Sequence, residues 1–361
     1  MKSILLIIFL SVLTFALSLA YASECNLQAP IKTYQPRYAK HFAIKYYKNF
    51  KIVNVNNDQY LLSENAEIGC TTSLLKITTP VKKVVMMSTT YLPALELLHQ
   101  EQTLIAFQGK NYIVSKKFNL NQIKDLAFKY NPEFLLGLKS DLIMGYASNL
   151  TSQSQRHVFN LLKLAVVFNK DFEESTSLGR AEWLVFISSF YNQEIEAENI
   201  FNSIEKNYLA LKEKNKKIQK KAKVLVGEIQ GGYWVTCGGK SDLGQLIEDA
   251  GGEVVPHNTS STTQKINLEE MSKEKTLYDI WLTHNFWENS DDLALGIHKD
   301  SRYLLIKAKN IFNNNLITNG HKANDFWETG LQRPDLLLLD LSSIFHPELF
   351  TSHKLYWYRK L

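Results

Sequence analysis

Two stretches of the chain alternate short apolar strands with helical segments, and this alternation limits the possible folds more than any other feature. The first stretch runs from the strand KKVVMMSTT through the helix LPALELLHQ and the strand TLIAFQG to the strand LAVVFN. Strands that alternate with helices form a parallel sheet with helices on its faces. We therefore predict an α/β lobe here, preceded by two short strands around the Asn-Asn-Asp turn at 56–58.

A long amphipathic segment separates this stretch from a second one. Its apolar residues recur at steps of four and three, without proline or a central glycine, and so predict one helix. Strands then resume at AKVLVGEI, YDIWLTHNFW and NIFNNNL, and the tail KLYWYRKL predicts a closing strand. The predicted fold class is α/β, with two three-layer lobes joined by a long rigid helix. The expected boundaries are 1–22 for a signal peptide, 23–175 for the N-terminal lobe, 176–220 for the linking helix and 221–361 for the C-terminal lobe.

The first residues indicate export. One lysine, an apolar run and the sequence Ala20-Tyr21-Ala22 fit a secretory signal with a small-x-small cleavage site, which predicts a mature protein starting at Ser23. Lipid anchoring at Cys25 is the second alternative, although Glu24 stands where a lipoprotein signal needs a small residue. A retained membrane helix is the third.

Composition argues against a nucleic-acid partner. The chain has 361 residues with 45% hydrophobic and 21% charged, which is ordinary for a soluble globular protein. A formal net charge of +5 is too small to indicate nucleic-acid binding. The basic run KEKNKKIQKKAK at 212–223 is interpreted as a solvated helix end or linker.

Catalytic and metal-binding motifs are missing from the sequence. It contains no HExxH, GxSxG or GxGxxG pattern, so we predict no catalytic residue, no cofactor and no direct metal site. Cys25, Cys70 and Cys237 lack metal-ligand spacing, and whether Cys25 pairs with Cys70 stays open. A secreted hydrolase and a metal-ion-binding surface protein remain alternatives, because catalytic triads and metal sites can assemble from distant residues.

The glycine-rich segment GGYWVTCGGKSDLGQLIEDAGG, at 231–252, ends like a phosphate-binding loop but is not one. Trp234 occupies the position where the first glycine of such a loop belongs. The segment therefore needs another explanation: its glycines allow tight turns and a close approach of the backbone, and Gly251-Gly252 suits the end of a helix.

Several segments resemble a known family in their order and spacing. They are PRYAKHFAIKYYKNFKIVNV, STTYLPALELL, PEFLLGLKSDLIM, LGRAEWLVFISSF, SDLGQLIEDAGGEVV and DFWETGLQRPDLLLLDLSSIFHPELF. Together they resemble the class III (cluster A) substrate-binding proteins of ABC importers over nearly the whole chain after the signal. The resemblance implies a monomeric, non-enzymatic periplasmic protein. It would carry an iron–siderophore, haem or cobalamin ligand to an ABC transporter permease in the inner membrane.

The resemblance also implies where ligand and permease bind. It makes the glycine-rich segment a loop after the first strand of the second lobe, with glycines that approach a ligand, followed by the helix SDLGQLIEDAGG. Loops at the carboxyl ends of the strands face the cleft in such folds, and aromatic residues in them would stack on a chelate or tetrapyrrole. One carboxylate on each lobe would dock to permease arginines, at Glu133 and at Glu269, with Glu270 as a rival for the second position. The predicted ligand-binding residues are Thr90, Tyr91, Lys110, Tyr112, Tyr146, Arg180, Tyr233, Trp234, Lys240, Trp287 and Trp327.

Some of these residues have an equally good structural interpretation. Arg180, Glu182 and Trp183 in GRAEW could cap and staple the linking helix rather than contact a ligand. Trp327 and Glu328 in DFWETG carry the same two interpretations. Phe286 is as well explained by core packing as by a place in the aromatic platform.

Overall fold

The computed structural model describes residues 24–65, 68–126, 131–146, 153–273 and 277–361, with side chains at 153–156, 272 and 273 left aside. The predicted signal peptide lies outside these residues. Among the helices in the described ranges, none combines the length and apolar character of a membrane span.

The chain begins with a five-stranded sheet that packs on the first lobe. The two strands predicted around the turn at 56–58 are confirmed, and Asn56 takes a left-handed conformation with φ 50° at that turn. The other three strands were not predicted. In spatial order the strands are β1 Lys32–Tyr34, β2 Phe42–Tyr46, β3 Lys51–Val55, β4 Asp58–Ser63 and β5 Leu75–Thr78.

The first lobe contains the predicted parallel sheet. Its strands are β6 Val84–Met86, β7 Leu104–Gln108, β8 Lys124–Leu126, β9 Leu142–Tyr146 and β10 Val166–Asn169, in the order β10-β9-β6-β7-β8. The side chains of β6 alternate between two cores, because successive residues of a strand face opposite sides of the sheet. The helices of this lobe are α1 Leu92–Leu97, α2 Pro132–Gly137 and α3 Gln153–Leu161.

The predicted single linking helix is wrong, because the segment forms two helices. They are α4 Ser177–Ser188 and α5 Glu194–Asn215. Between them the Ser188 and Ser189 hydroxyls donate to carbonyl oxygens three residues back, and Asn192 has φ 57°. This turn buries Phe190 and Tyr191 in the first-lobe core. The apolar period that predicted one helix belongs to α5 alone.

Both helices join the two lobes through packing. In α4, Leu178 lies in the second-lobe core while Trp183 lies in the first-lobe core. In α5, Ala197 packs in the first lobe and Phe201 in the second. The lobes are therefore held together by a helix pair that packs into both cores.

The second lobe is also a mostly parallel sheet. Its strands are β11 Ala222–Val226, β14 Gly252–Val254, β16 Tyr278–Thr283, β17 Ala308–Asn313 and the antiparallel closing strand β18 Arg359–Lys360, in the order β14-β11-β16-β17-β18. The predicted closing strand is thus confirmed, although it spans only two residues. The helices of this lobe are α6 Asp242–Asp249, α7 Leu268–Lys273, α8 Ser290–Lys299 and α9 Pro334–Phe345.

The glycine-rich segment forms a β-hairpin rather than the predicted ligand loop. Strands β12 Glu228–Gln230 and β13 Tyr233–Thr236 are joined by Gly231 and Gly232, whose φ angles of 56° and 87° favour glycine. β13 also pairs with β15 Gln264–Asn267. A Cβ on Gly239 would lie 2.1 Å from the carbonyl oxygen of Asn258, so this glycine approaches the protein's own backbone. The helix predicted after it is confirmed as α6, capped by the Ser241 hydroxyl.

A disulfide joins Cys25 to Cys70. It answers the open question of their pairing, and it occupies the sulfur that lipid anchoring at Cys25 would need. The remaining cysteine, Cys237, is a free thiol whose pKa is raised to about 12, mainly by burial.

Thiol titration checks this pairing. We expect little reaction in the native protein, because a buried thiol with a raised pKa is a poor nucleophile. After denaturation without reductant we expect one thiol for each chain, and after reduction all three. Two thiols in the unreduced, denatured protein would instead indicate that Cys25 is blocked and Cys70 is free.

Candidate functional site

A cleft of about 460 Å³ lies between the two lobes. The first lobe contributes residues at and after the ends of β6 and β7, and the second lobe contributes those that follow β16 and β17. The carboxyl ends of parallel strands are where α/β folds bind ligands, so this cleft is the candidate ligand site.

Aromatic side chains enter the cleft from both lobes. Tyr112 comes from the first lobe, and Phe286 and Trp327 come from the second. These residues are 48%, 69% and 46% exposed, so each ring keeps surface that does not pack in the core. Large, partly exposed aromatic side chains in a concave site are suited to stacking on a flat ligand.

A chain of amides orients His284 at the cleft wall. Asn324 Nδ2 donates to Asn314 Oδ1 over 3.2 Å, and Asn314 Nδ2 lies 3.0 Å from His284 Nδ1. With each amide donating to the next group, the imidazole proton is on Nε2. Burial lowers the pKa of His284 from 6.5 to about 4, which keeps the ring neutral at physiological pH. His284 is therefore a fixed, uncharged hydrogen-bond donor.

Two further asparagines fix the loop after β16. Asn313 Nδ2 donates to the carbonyl oxygens of Asn285 and Trp287, and Asn315 Nδ2 also donates to Trp287 O, over 3.0 Å. The polar run at 313–315 thus holds the loop that carries His284 and Phe286.

A set of hydrogen bonds, here called the clasp, joins the two lobes beside the cleft. Glu328 of the second lobe accepts from the backbone N–H groups of Val114 and Ser115, over 2.8 and 3.0 Å. Asn319 Nδ2 donates to the carbonyl oxygens of Asn111 and Ile113, over 2.8 and 3.0 Å. Two second-lobe side chains therefore hydrogen-bond to the backbone of one first-lobe segment, residues 111–115.

The Glu328 carboxyl group has a raised pKa. Burial raises it from 4.5 to about 7, while the Val114 and Ser115 amides oppose the rise and the nearby Asp325 and Glu96 carboxylates add to it. The Glu328 carboxyl group binds a proton more tightly in the folded protein than in the unfolded chain. Its contribution to the free energy of unfolding is therefore fully present below pH 4.5 and is lost as the pH rises through 7.

Glu328→Gln should remove this pH dependence. Glutamine stays neutral at every pH, so the variant loses no stability as the pH rises. The free energy of unfolding of the variant minus that of wild type should therefore increase between pH 4.5 and 7.5 by on the order of 3 kcal/mol. His284 titrates in the opposite sense, but it is present in both proteins and cancels in the difference. Denaturant unfolding across this pH range measures the effect, with the exposed Glu348→Gln as control. A difference that does not change with pH would contradict the assignment.

Two predicted ligand residues, Tyr112 and Trp327, line the cleft. A third, Thr90, adjoins it, because its hydroxyl lies 2.9 Å from that of the lining residue Ser88. Phe286, which the sequence left undecided, also lines the cleft.

Three predicted aromatic contacts are wrong. Tyr91 and Trp234 are fully buried, and their polar atoms bond to the carbonyl oxygens of Gly145 and Val226. Trp287 packs on Trp281 and on α8 instead of the cleft. These residues follow strands in the sequence, but their rings turn into the core.

Two predicted cationic residues, Lys110 and Arg180, bind other groups of the protein. Lys110 Nζ donates to the carbonyl oxygens of Leu120 and Ile123. Arg180 forms an ion pair with Asp242 over 2.9 Å, which joins α4 to α6. Neither side chain lines the described cleft.

The other predicted residues are exposed. Tyr146, Tyr233 and Lys240 have exposed side chains outside the described cleft lining. Glu133 and Glu269 are exposed in the first turns of α2 and α7, each after an asparagine whose side chain accepts from its backbone N–H.

Sequence reasoning missed His284 and the amides around it. The signal was a histidine directly after β16 and three asparagines at the end of β17, since polar residues at strand ends lie at the ligand edge of the sheet. In the described part of the chain, no group of three or more His, Cys, Asp or Glu side chains is placed to hold a metal ion.

Two α/β lobes on a helical connection, with a cleft between their strand ends, define a two-lobe solute-binding protein. A family model described as periplasmic binding protein matches residues 84–302. The chain belongs to this family, whose members bind a solute outside the cytoplasm for an ABC transporter permease.

Similar proteins are known from bacteria and an archaeon. The fold is similar to a periplasmic heme-binding protein from Pseudomonas aeruginosa (TM-score 0.57, 14% identity, covering 78% of this chain and 98% of that one). It is also similar to a possible iron-binding, periplasmic solute-binding protein from Staphylococcus epidermidis (TM-score 0.55, 16% identity, covering 74% and 99%). In sequence, the chain is 24% identical to an uncharacterised lipoprotein from Methanocaldococcus jannaschii, over 79% of this chain and 70% of the relative.

Proposed function

We propose that the protein captures a metal chelate or tetrapyrrole, of the iron–siderophore, haem or cobalamin kind, and delivers it to an ABC importer. The observation that carries the proposal is the aromatic lining supplied by both lobes, with Tyr112 on one side and Phe286 and Trp327 on the other. A broad, flat ligand between these rings would bury apolar area worth about 25 cal/mol per Å².

Polar groups in the cleft suit the oxygen atoms of such a ligand. His284 offers an N–H donor that stays uncharged at neutral pH. Lys322 lines the cleft with its ammonium 5.5 Å from the centre of the Phe286 ring, where it could meet a ligand carboxylate. The heme-binding and possible iron-binding relatives favour the same ligand class.

Native mass spectrometry after incubation with haem, cobalamin and ferric siderophores tests the proposal. We expect a one-to-one complex with a member of one class, and a much smaller fraction of that complex in the Tyr112→Ala, Trp327→Ala double variant. Absence of a complex with all three classes would contradict the proposed ligand, while the family membership would stand.

Permease docking is a further part of the proposal. Glu133→Lys combined with Glu269→Lys should abolish most ligand-stimulated ATP hydrolysis by the cognate importer in proteoliposomes, because lysine would repel the permease arginines. Ligand affinity should not change. Glu270→Lys tests the rival position, and the exposed Glu253→Lys is the control. Full stimulation by the double variant would exclude the docking role.

A further inference from the structure

A second groove lies at the opposite end of the second lobe from the cleft. It crosses the amino ends of β11, β16 and β17, beside the ends of α5 and α9, and has a volume of about 680 Å³. This is within the range of small-molecule sites. The strands run from this groove to the cleft, so the two sites are separated by the length of the sheet.

The floor of the groove is apolar. It is formed by Ile218, Ile344, Phe345 and Leu349, and Leu349 is 49% exposed. The buried ring of His346 beside them is engaged through Nε2, 3.0 Å from the carbonyl oxygen of Gly251. His346 Nε2 is therefore already engaged, and the four floor side chains themselves offer only apolar surface.

The rim of the groove is basic. Five lysines line it, and two of them are paired, Lys309 with Asp279 and Lys221 with Glu248. A third, Lys214, has its ammonium 4.2 Å from the centre of the Phe350 ring. The lining carboxylates are Asp279 and the exposed Glu348. Lys217 and Lys220 complete the rim, and among the described residues neither makes a direct ion pair, although the charge of Lys220 helps to lower the pKa of the neighbouring Asp279.

An apolar floor with a cationic rim favours a ligand that has both an apolar part and an anionic group. A peptide would leave amide groups without partners on this floor, and that costs free energy. A free phosphate would make no use of the apolar surface. We propose that the groove binds a single-chain anionic amphiphile, with the alkyl chain on the floor and a phosphate or carboxylate head at Lys217 and Lys220. This site is independent of the cleft and of the function proposed for it.

Calorimetric titration with dodecyl phosphate, below its critical micelle concentration, tests this site. We expect one molecule to bind for each chain, and Lys217→Glu with Lys220→Glu to weaken binding by about tenfold or more. Lys265→Glu with Lys299→Glu removes two exposed lysines outside the groove and should have little effect. Leu349→Ser should also weaken binding, while Trp327→Ala in the cleft should not.

Three outcomes would overturn the proposal. They are equal loss in the control pair, inorganic phosphate binding as tightly as dodecyl phosphate, and no binding of the monomeric amphiphile. Adsorption to vesicles of phosphatidylcholine and phosphatidylglycerol without binding of monomeric dodecyl phosphate would show only a charged surface, and would contradict the site as well. Thermal unfolding of every variant establishes that loss of binding is not loss of fold.

Discussion

Replacing Tyr112 and Trp327 together with alanine is expected to weaken chelate binding by about a hundredfold. The two rings face the cleft from different lobes and are each about half exposed, so they have apolar surface left for a ligand. Losing one large aromatic contact typically costs about 1 to 2 kcal/mol, and the two losses should add because the rings lie on opposite lobes. Fluorescence titration with the chelate found by mass spectrometry measures the change.

Matched controls separate stacking from general damage. Phe134 and Tyr356 are 43% exposed aromatics outside the cleft, and replacing them with alanine should leave affinity unchanged. If the cleft variant bound the chelate as tightly as wild type, the aromatic platform would have to be abandoned.

Glu182→Ala is expected to destabilise the protein by about 3 to 5 kcal/mol. The fully buried carboxylate accepts from the backbone N–H groups of Arg37, Tyr38 and Ala39, over 2.8 to 2.9 Å, and from the Tyr34 hydroxyl over 3.0 Å. Alanine would leave these donors without a partner next to α4, and each buried unsatisfied donor is costly.

Glu205→Ala provides the comparison for this prediction. Glu205 contacts the same segment, through the Tyr38 hydroxyl and an ion pair with the half-exposed Arg37 guanidinium. Because that pair is screened by solvent, its loss should cost about 1 kcal/mol or less. Denaturant unfolding of both variants gives the two free energies, and equal costs would show that Glu182 is not the anchor of this segment.

The contacts of Glu182 and its neighbours also decide whether the GRAEW segment is structural or contacts a ligand. Glu182 anchors the N-terminal segment, Arg180 pairs with Asp242, and Trp183 Nε1 donates to Glu174. All three side chains thus form hydrogen bonds or ion pairs with other residues of the protein. The structural interpretation of this segment is therefore the better one.

The sequence predicted the lobes well because their strands are short, apolar and bounded by helices. The break at 189–193 escaped prediction because serine, phenylalanine and tyrosine are all acceptable in a helix, and only the core of the first lobe draws Phe190 inward. Tertiary packing there outweighs local propensity.

The candidate site was predicted less well for a different reason. Strand ends indicate which loops reach the cleft, but not which way a ring points. Tyr112 and Trp327 therefore line the cleft as expected of ligand-binding residues, whereas Trp234 and Trp287 pack in the core. His284 depends on Asn314 and Asn324, thirty and forty positions away, and no local pattern joins them.

Whether the cleft holds a metal chelate can be seen in a crystal structure of the complex, with data collected at the absorption edge of the chelated metal. We expect one strong anomalous peak between the lobes, with the chelate ring against Tyr112 and Trp327 and a ligand oxygen within hydrogen-bond distance of His284 Nε2. A peak on the outer surface of either lobe, with the cleft filled only by water, would contradict it.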